Sequence, residues 1–167
     1  MIQGYTFDGG FRRWETLGIR NRSMAWIIAI LSGAVMSIQG VWNTGLTKQT
    51  SIWLANAFVQ FGAFVVCFLI WLLTDRTNVA KLAQVTPRYL LAGGVLGVFI
   101  TYSVIVSMHK LGPAKAVLLI VIAQITVAYL LELFGLFGTE KVSFELRKVI
   151  GIGIAILGLI IFKWETG

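Results

Sequence analysis

Gln39 and Asn43 stand four residues apart in Ser37-Ile38-Gln39-Gly40-Val41-Trp42-Asn43, a stretch otherwise apolar enough to cross a membrane. On a helix that spacing puts both amides on one face. An amide in hydrocarbon needs a hydrogen-bonding partner, so the face is expected to look at protein, water or a solute rather than at lipid. Asn56 and Gln60 repeat the spacing in the next apolar run, and Gln124 lies at the middle of a later one. Unrelated lipid-facing positions would rarely be amides twice over. Gln39, Asn43, Asn56, Gln60 and Gln124, together with Tyr102 well inside its own apolar run, are therefore read as candidate substrate-binding residues. The chemistry they offer is neutral hydrogen bonding. The competing reading is plain interhelical bonding, worth roughly 0.6 kcal/mol per contact on average in a membrane protein.

Titratable groups are few. Glu132 is the carboxylate placed in apolar surroundings, which makes it the candidate for proton coupling or cation binding. It also lies near the end of its run, where a side chain reaches headgroup water and behaves as an ordinary surface acid. His109 falls in the corner His109-Lys110-Leu111-Gly112-Pro113 and reads as a turn residue, while Trp42 and Trp53, near helix ends, read as interfacial belt residues. With one His, one Cys and no clustered carboxylates, neither a metal site nor a Cys/His nucleophile arrangement assembles within one chain. No GxxxxGK[ST] phosphate loop is present. An enzyme is not expected, and no cofactor or metal is called for. A secondary transporter driven by a gradient or by exchange fits a neutral, amide-rich interior.

The elements that must carry these residues follow from composition. The 167 residues are 57% hydrophobic and 13% charged, with a mean hydropathy of +0.85, which is far from a soluble composition. The reading is an all-α integral membrane protein with five transmembrane helices: Met24–Leu46, Ile52–Thr74, Tyr89–Met108, Pro113–Phe134 and a short fifth span, Val149–Phe162, which is able to begin in the preceding loop near Phe144. Small residues mark faces where another helix approaches closely: Gly33, Ser37 and Gly40 in the first span, Gly93 and Gly97 in the third, Gly151, Ala155 and Gly158 in the fifth. Two segments result. Residues 1–23, with Arg12, Arg13, Arg20 and Arg22, form a basic N-terminal arm, and residues 24–167 form one transmembrane domain. Met24 opens the first span directly, so translation is able to begin there with 1–23 as an upstream extension.

The net charge of +7 does not mark a nucleic-acid partner, because the basic residues sit singly or in pairs at the ends of apolar runs. With a cytoplasmic N-terminus, ten lysines and arginines fall inside and four outside (Lys48, Lys110, Lys115 and Lys163). Without the arm the count is six against four, a bias weak enough for insertion both ways. Because the span number is odd, two such chains joined end to end take opposite orientations, the inverted-repeat layout of many secondary transporters.

Several landmarks fall in a recognisable order: Gly33 and Ser37-Ile38-Gln39-Gly40 to Asn43, Ala57 to Gly62, Gly93-Gly94-Val95-Leu96-Gly97, Leu111-Gly112-Pro113-Ala114, Gln124, and Leu133-Phe134-Gly135-Leu136-Phe137-Gly138. From Met24 onward the chain resembles the bacterial YdcZ-like family of half-sized proteins in the drug/metabolite transporter (DMT) superfamily. It departs from the family pattern at Ala123, where a Gly is expected, and at Glu132, which replaces an acidic-aromatic pair. The resemblance implies a multi-pass protein of the bacterial inner membrane that moves a small molecule by alternating access as an antiparallel dimer with itself. Two alternatives stand beside it: one half of a heterodimer with an oppositely oriented paralogue, and a non-transporting membrane assembly subunit.

Overall fold

Chain breakers divide the sequence into helices where the physics requires. The computed structural model describes residues 22–163, so the arm expected over 1–23 lies outside the described residues except for its last two. Those two already belong to α1, Arg22–Gln49. The helix runs three residues past Leu46, and Thr47 and Thr50 donate back to the carbonyls of Asn43 and Leu46 at 2.9 and 2.8 Å, which satisfies their hydroxyls within the chain. Ser51 then caps α2, Ile52–Ile70, by accepting from Leu54 N at 3.1 Å.

Helix α2 continues through a π-helical turn, Trp71–Asp75, and stops at Arg76 in the left-handed region, φ 50°. Two short 3₁₀ turns follow, Val79–Gln84 and Arg88–Ala92, the first capped by Asn78 accepting from Ala80 N at 2.9 Å. The second feeds directly into α3, Gly93–Leu111. Gly112, at φ 81°, ends α3 with its N–H on the Met108 carbonyl at 3.0 Å. Pro113, which has no N–H to leave unsatisfied, opens α4, Pro113–Phe134. Gly135, again at positive φ, and a turn over Leu136–Gly138 reverse the chain toward α5, Leu146–Lys163.

The described residues contain no strand. Four helical stretches are long and apolar enough to cross a membrane: Ser23–Gln49, Ile52–Thr74, Arg88–Leu111 and Pro113–Phe134. Helix α5, expected as a fifth span, has 18 residues that begin with Arg147 and Lys148 close to its start and end on Lys163, and it falls outside that group. Among the described residues few side chains are buried, and large apolar ones lie open: Trp26 is 69% exposed and Ile161 73%. This is the profile of a chain whose outer solvent is hydrocarbon, where an exposed apolar side chain carries no penalty.

Backbone proximity groups the chain into two units, residues 37–113 and residues 22–36 with 114–163. In the first, α2 and α3 run antiparallel in contact, and Gly40 of α1 is buried against Met108 and Val104 of α3. A Cβ on Gly40 would overlap Met108 Cε and stand 2.7 Å from its Sδ, so glycine is what permits this approach. In the second unit, α4 and α5 flank an apolar groove of ≈ 370 Å³.

Candidate functional site

The polar residues of unit 37–113 converge where α2 meets α3. Asn56 is 1% exposed, and its Nδ2 donates to the Val98 carbonyl of α3 at 2.9 Å. Its Oδ1 is buried without a hydrogen-bond partner. One turn on, Gln60 Nε2 donates to Thr101 Oγ1 at 3.3 Å, and the same amide lies over Gly97, where a Cβ would come within 3.7 Å of it. One turn before Asn56, Trp53 stacks on Tyr102 with ring centroids 5.1 Å apart at 21°. The register 53 to 102, 56 to 98 and 60 to 97 and 101 thus makes a continuous polar and aromatic seam along two antiparallel helices.

An unpaired acceptor in that seam is informative. A buried carbonyl without a donor costs roughly 1–3 kcal/mol, and native proteins keep such groups where strain, water or a ligand accounts for them. Gln60, half-buried, and Tyr102, 36% exposed, border the same seam, so its edge is open while its centre is closed.

On α1 the two amides behave differently from their echo on α2. Gln39 is exposed and Asn43 half-buried. They flank the Gly40 contact, and Thr44 on its other side is buried with its hydroxyl donated to the Gly40 carbonyl at 2.8 Å. Neither amide side chain has a hydrogen-bond partner among the described residues. Gln124 belongs to the other unit, exposed on α4, and its side chain also has none.

Glu132 lies at the last turns of α4 within a charged cluster. Lys148 Nζ stands 3.9 Å from its carboxylate, 3.4 Å from that of Glu145 and 5.3 Å from the centre of the Tyr129 ring. Tyr129 is buried, and its hydroxyl accepts from Glu145 N at 2.9 Å and donates to Glu145 O at 3.4 Å. The Glu132 carbonyl accepts from Val142 N at 3.1 Å. These contacts tie the loop before α5 to the end of α4. Glu132 and Lys148 also border the groove, whose walls include Ile122, Ile125 and, on α5, Gly151 and Ala155.

The glycines named in the sequence divide in the same way. Gly40 stands at a close approach and a Cβ at Gly97 would make ordinary contact with Gln60, whereas a Cβ at Gly33, Gly93, Gly151 or Gly158 would meet nothing within 4 Å. Ser37 is half-buried on α1. Sequence reasoning missed Thr101 and the Val98 carbonyl as partners of the α2 amides, Met108 as the residue that fills the notch at Gly40, and Lys148 as the counter-charge of Glu132. Thr101 had a usable signal: it is a polar side chain three residues past Val98, on the face of α3 that follows Gly97.

A family model described as "Putative inner membrane exporter, YdcZ" matches residues 24–161. No curated protein and no solved structure matches the chain. With that match covering most of its length, and with four helices able to cross a bilayer, the chain belongs to the YdcZ family and is a multi-pass inner membrane protein.

Proposed function

We propose that the chain is one subunit of a secondary active transporter, which moves a small organic solute across the inner membrane by alternating access between two copies in opposite orientation. The observation that carries this reading is the state of the amides. Gln39, Asn43 and Gln124 lie on helices able to cross a membrane, with no side-chain partner among the described residues, and Asn56 keeps one buried acceptor unpaired. In hydrocarbon such groups must be met by a second chain, by water or by a solute. A cavity between two inverted copies supplies all three. The seam of Asn56, Gln60 and Tyr102 forms its wall, Gln39, Asn43 and Gln124 its further hydrogen-bonding groups, and Gly33, Ser37, Gly93, Gly151, Ala155 and Gly158 the faces on which the copies pack.

Helix α5 is the fifth span in this reading. Its 18 residues extend about 27 Å, close to the about 30 Å of a hydrocarbon core, and Arg147 and Lys148 stand near its start, where their charges reach the headgroups. The interior is neutral, so the solute is one recognised by hydrogen bonds and aromatic contact rather than by a central ion pair. Glu132, held beside Lys148 at a helix end, serves the α4–α5 connection.

Flux into liposomes that contain the purified chain alone tests the proposal. A solute from a panel of small polar and aromatic compounds is expected to enter faster than into empty liposomes, and Asn56→Leu is expected to cut the difference about tenfold or more. Verified insertion with no flux across the panel would instead favour an assembly subunit, in which amides and glycines serve packing alone.

A further inference from the structure

A second concavity lies apart from the amide seam, where the end of α2 meets the loop that follows it. Phe64, Cys67, Phe68 and Trp71 of α2 face Val79, Leu82 and Val85 of the loop across ≈ 580 Å³. Phe64 stacks on Phe68 at 5.7 Å, Phe68 lies 5.6 Å from Trp71, and Trp71 Nε1 donates to the Thr77 carbonyl at 3.2 Å. The loop is thereby pinned to the helix, so the hollow is a property of the fold and not of a loose segment.

Its dimensions are those of one leaflet. Phe64 is ten residues from the end of the span at Thr74, about 15 Å along a helix, and half of a hydrocarbon core about 30 Å thick is also about 15 Å. The deep end is wholly apolar. The shallow end is polar and positive: Asn78 and Lys81 line it, and Arg76 and Arg88 belong to the same segment, in which Asp75 is the single acid against three basic residues from 75 to 92. Lys81 is exposed with no ion-pair partner among the described residues. Arg76 donates its Nε to the Leu72 carbonyl at 2.7 Å, which leaves the terminal guanidinium nitrogens for another acceptor. Asn78 uses its Oδ1 as a helix cap and keeps its Nδ2 as a donor.

We infer that this hollow binds one anionic phospholipid, an acyl chain lying over Phe64, Cys67 and Phe68 and the headgroup phosphate held by Lys81 with Asn78. Charge complementarity selects the occupant. An unpaired cation at headgroup depth, above an apolar trough as deep as a leaflet, fits a lipid anion better than a zwitterionic lipid or a second copy of this equally basic loop. The site is separate from the proposed solute path, and its occupancy does not depend on transport.

Cys67, the single cysteine, sits exposed in the trough and reports on it directly. The rate of Cys67 alkylation is measured on the full chain in a neutral detergent with added dioleoylphosphatidylglycerol, with dioleoylphosphatidylcholine, or with glycerol phosphate. Phosphatidylglycerol is expected to slow alkylation several-fold more than phosphatidylcholine, with no protection by glycerol phosphate. Lys81→Gln is expected to erase the preference, and Lys81→Arg to retain it. Equal protection by the two lipids, protection by glycerol phosphate alone, or an undiminished preference in Lys81→Gln would overturn the inference. A trough covered by a second copy gives no lipid dependence at all and overturns it equally.

Discussion

The two units of the molecule handle polarity in opposite ways. In residues 37–113 the side chains bonded from helix to helix are neutral amides in the first half of α2: Asn56 to Val98, Gln60 to Thr101. In residues 22–36 with 114–163 the strong groups are charges at a helix end, Lys148 between Glu132 and Glu145 beside Tyr129. Where a neighbouring helix closes off solvent, as at Asn56, a bonded neutral amide costs little and a lone charge costs much. Near a helix end, water and headgroups solvate an ion pair. On the proposed function, the contrast assigns the transport chemistry to the neutral seam and leaves the charged cluster as a structural clasp.

Four substitutions bear on that contrast. The largest effect is expected from Asn56→Leu, which removes the bond to Val98 and the orphaned acceptor but keeps the branching and heavy-atom number of the side chain. Flux should fall about tenfold or more, equivalent to about 1.4 kcal/mol in the barrier, while unfolding in detergent shifts by less than about 1 kcal/mol, since membrane interhelical bonds average about 0.6 kcal/mol. Equal losses in flux and stability would make the seam mere glue.

Next is Gly40→Leu. The new side chain overlaps Met108 and meets Val104, whose Cγ1 stands 3.2 Å from the Cβ position alone, and overpacking of this kind costs about 1–3 kcal/mol. Gly40→Ala should cost much less, because the flexible end of Met108 is able to swing aside, and Met108→Ala should restore part of the Gly40→Leu loss. Absence of that rescue in a double-mutant cycle would show that α1 and α3 are not coupled here.

Smaller still, Tyr129→Phe leaves Glu145 N without its acceptor and should lower stability by about 0.5–1.5 kcal/mol, read from denaturation midpoints with flux unchanged. The smallest effect belongs to Glu132→Gln. Its carboxylate is 47% exposed and its partner 39%, and such pairs contribute about 0–1 kcal/mol. Flux driven by a pH gradient should persist in Glu132→Gln. If it vanishes while exchange flux survives, Glu132 couples the proton and the contrast between the units breaks.

Much of the architecture was legible in the sequence because membrane helices announce themselves through long apolar runs and strong breakers. Ser51, Gly112-Pro113 and Gly135 end or begin helices at the positions their chemistry implies. The α5 helix was legible as a helix, but its charged ends and short length leave its crossing of the bilayer to proposal. The i,i+4 spacing marked Asn56 and Gln60 as one face, yet it could not show that Asn56 is closed off by α3 while Gln39 lies open. That difference depends on the register of an antiparallel neighbour, which no local pattern encodes. The same holds for Trp53, read as a belt residue and found stacked on Tyr102, and for Lys148, brought to Glu132 by a chain reversal through Gly135.

The central claim is that two copies of this chain face one another inverted, so that one set of amides serves both sides of the site. Two-sided labelling tests it most directly. In a Cys67→Ser background, Glu140→Cys places a single thiol in the exposed loop before α5, and a membrane-impermeant maleimide is applied to sealed vesicles from each face in turn. Comparable fractions of the chain should label from the outside and from the inside. Labelling of every chain from one face alone would contradict the inverted homodimer.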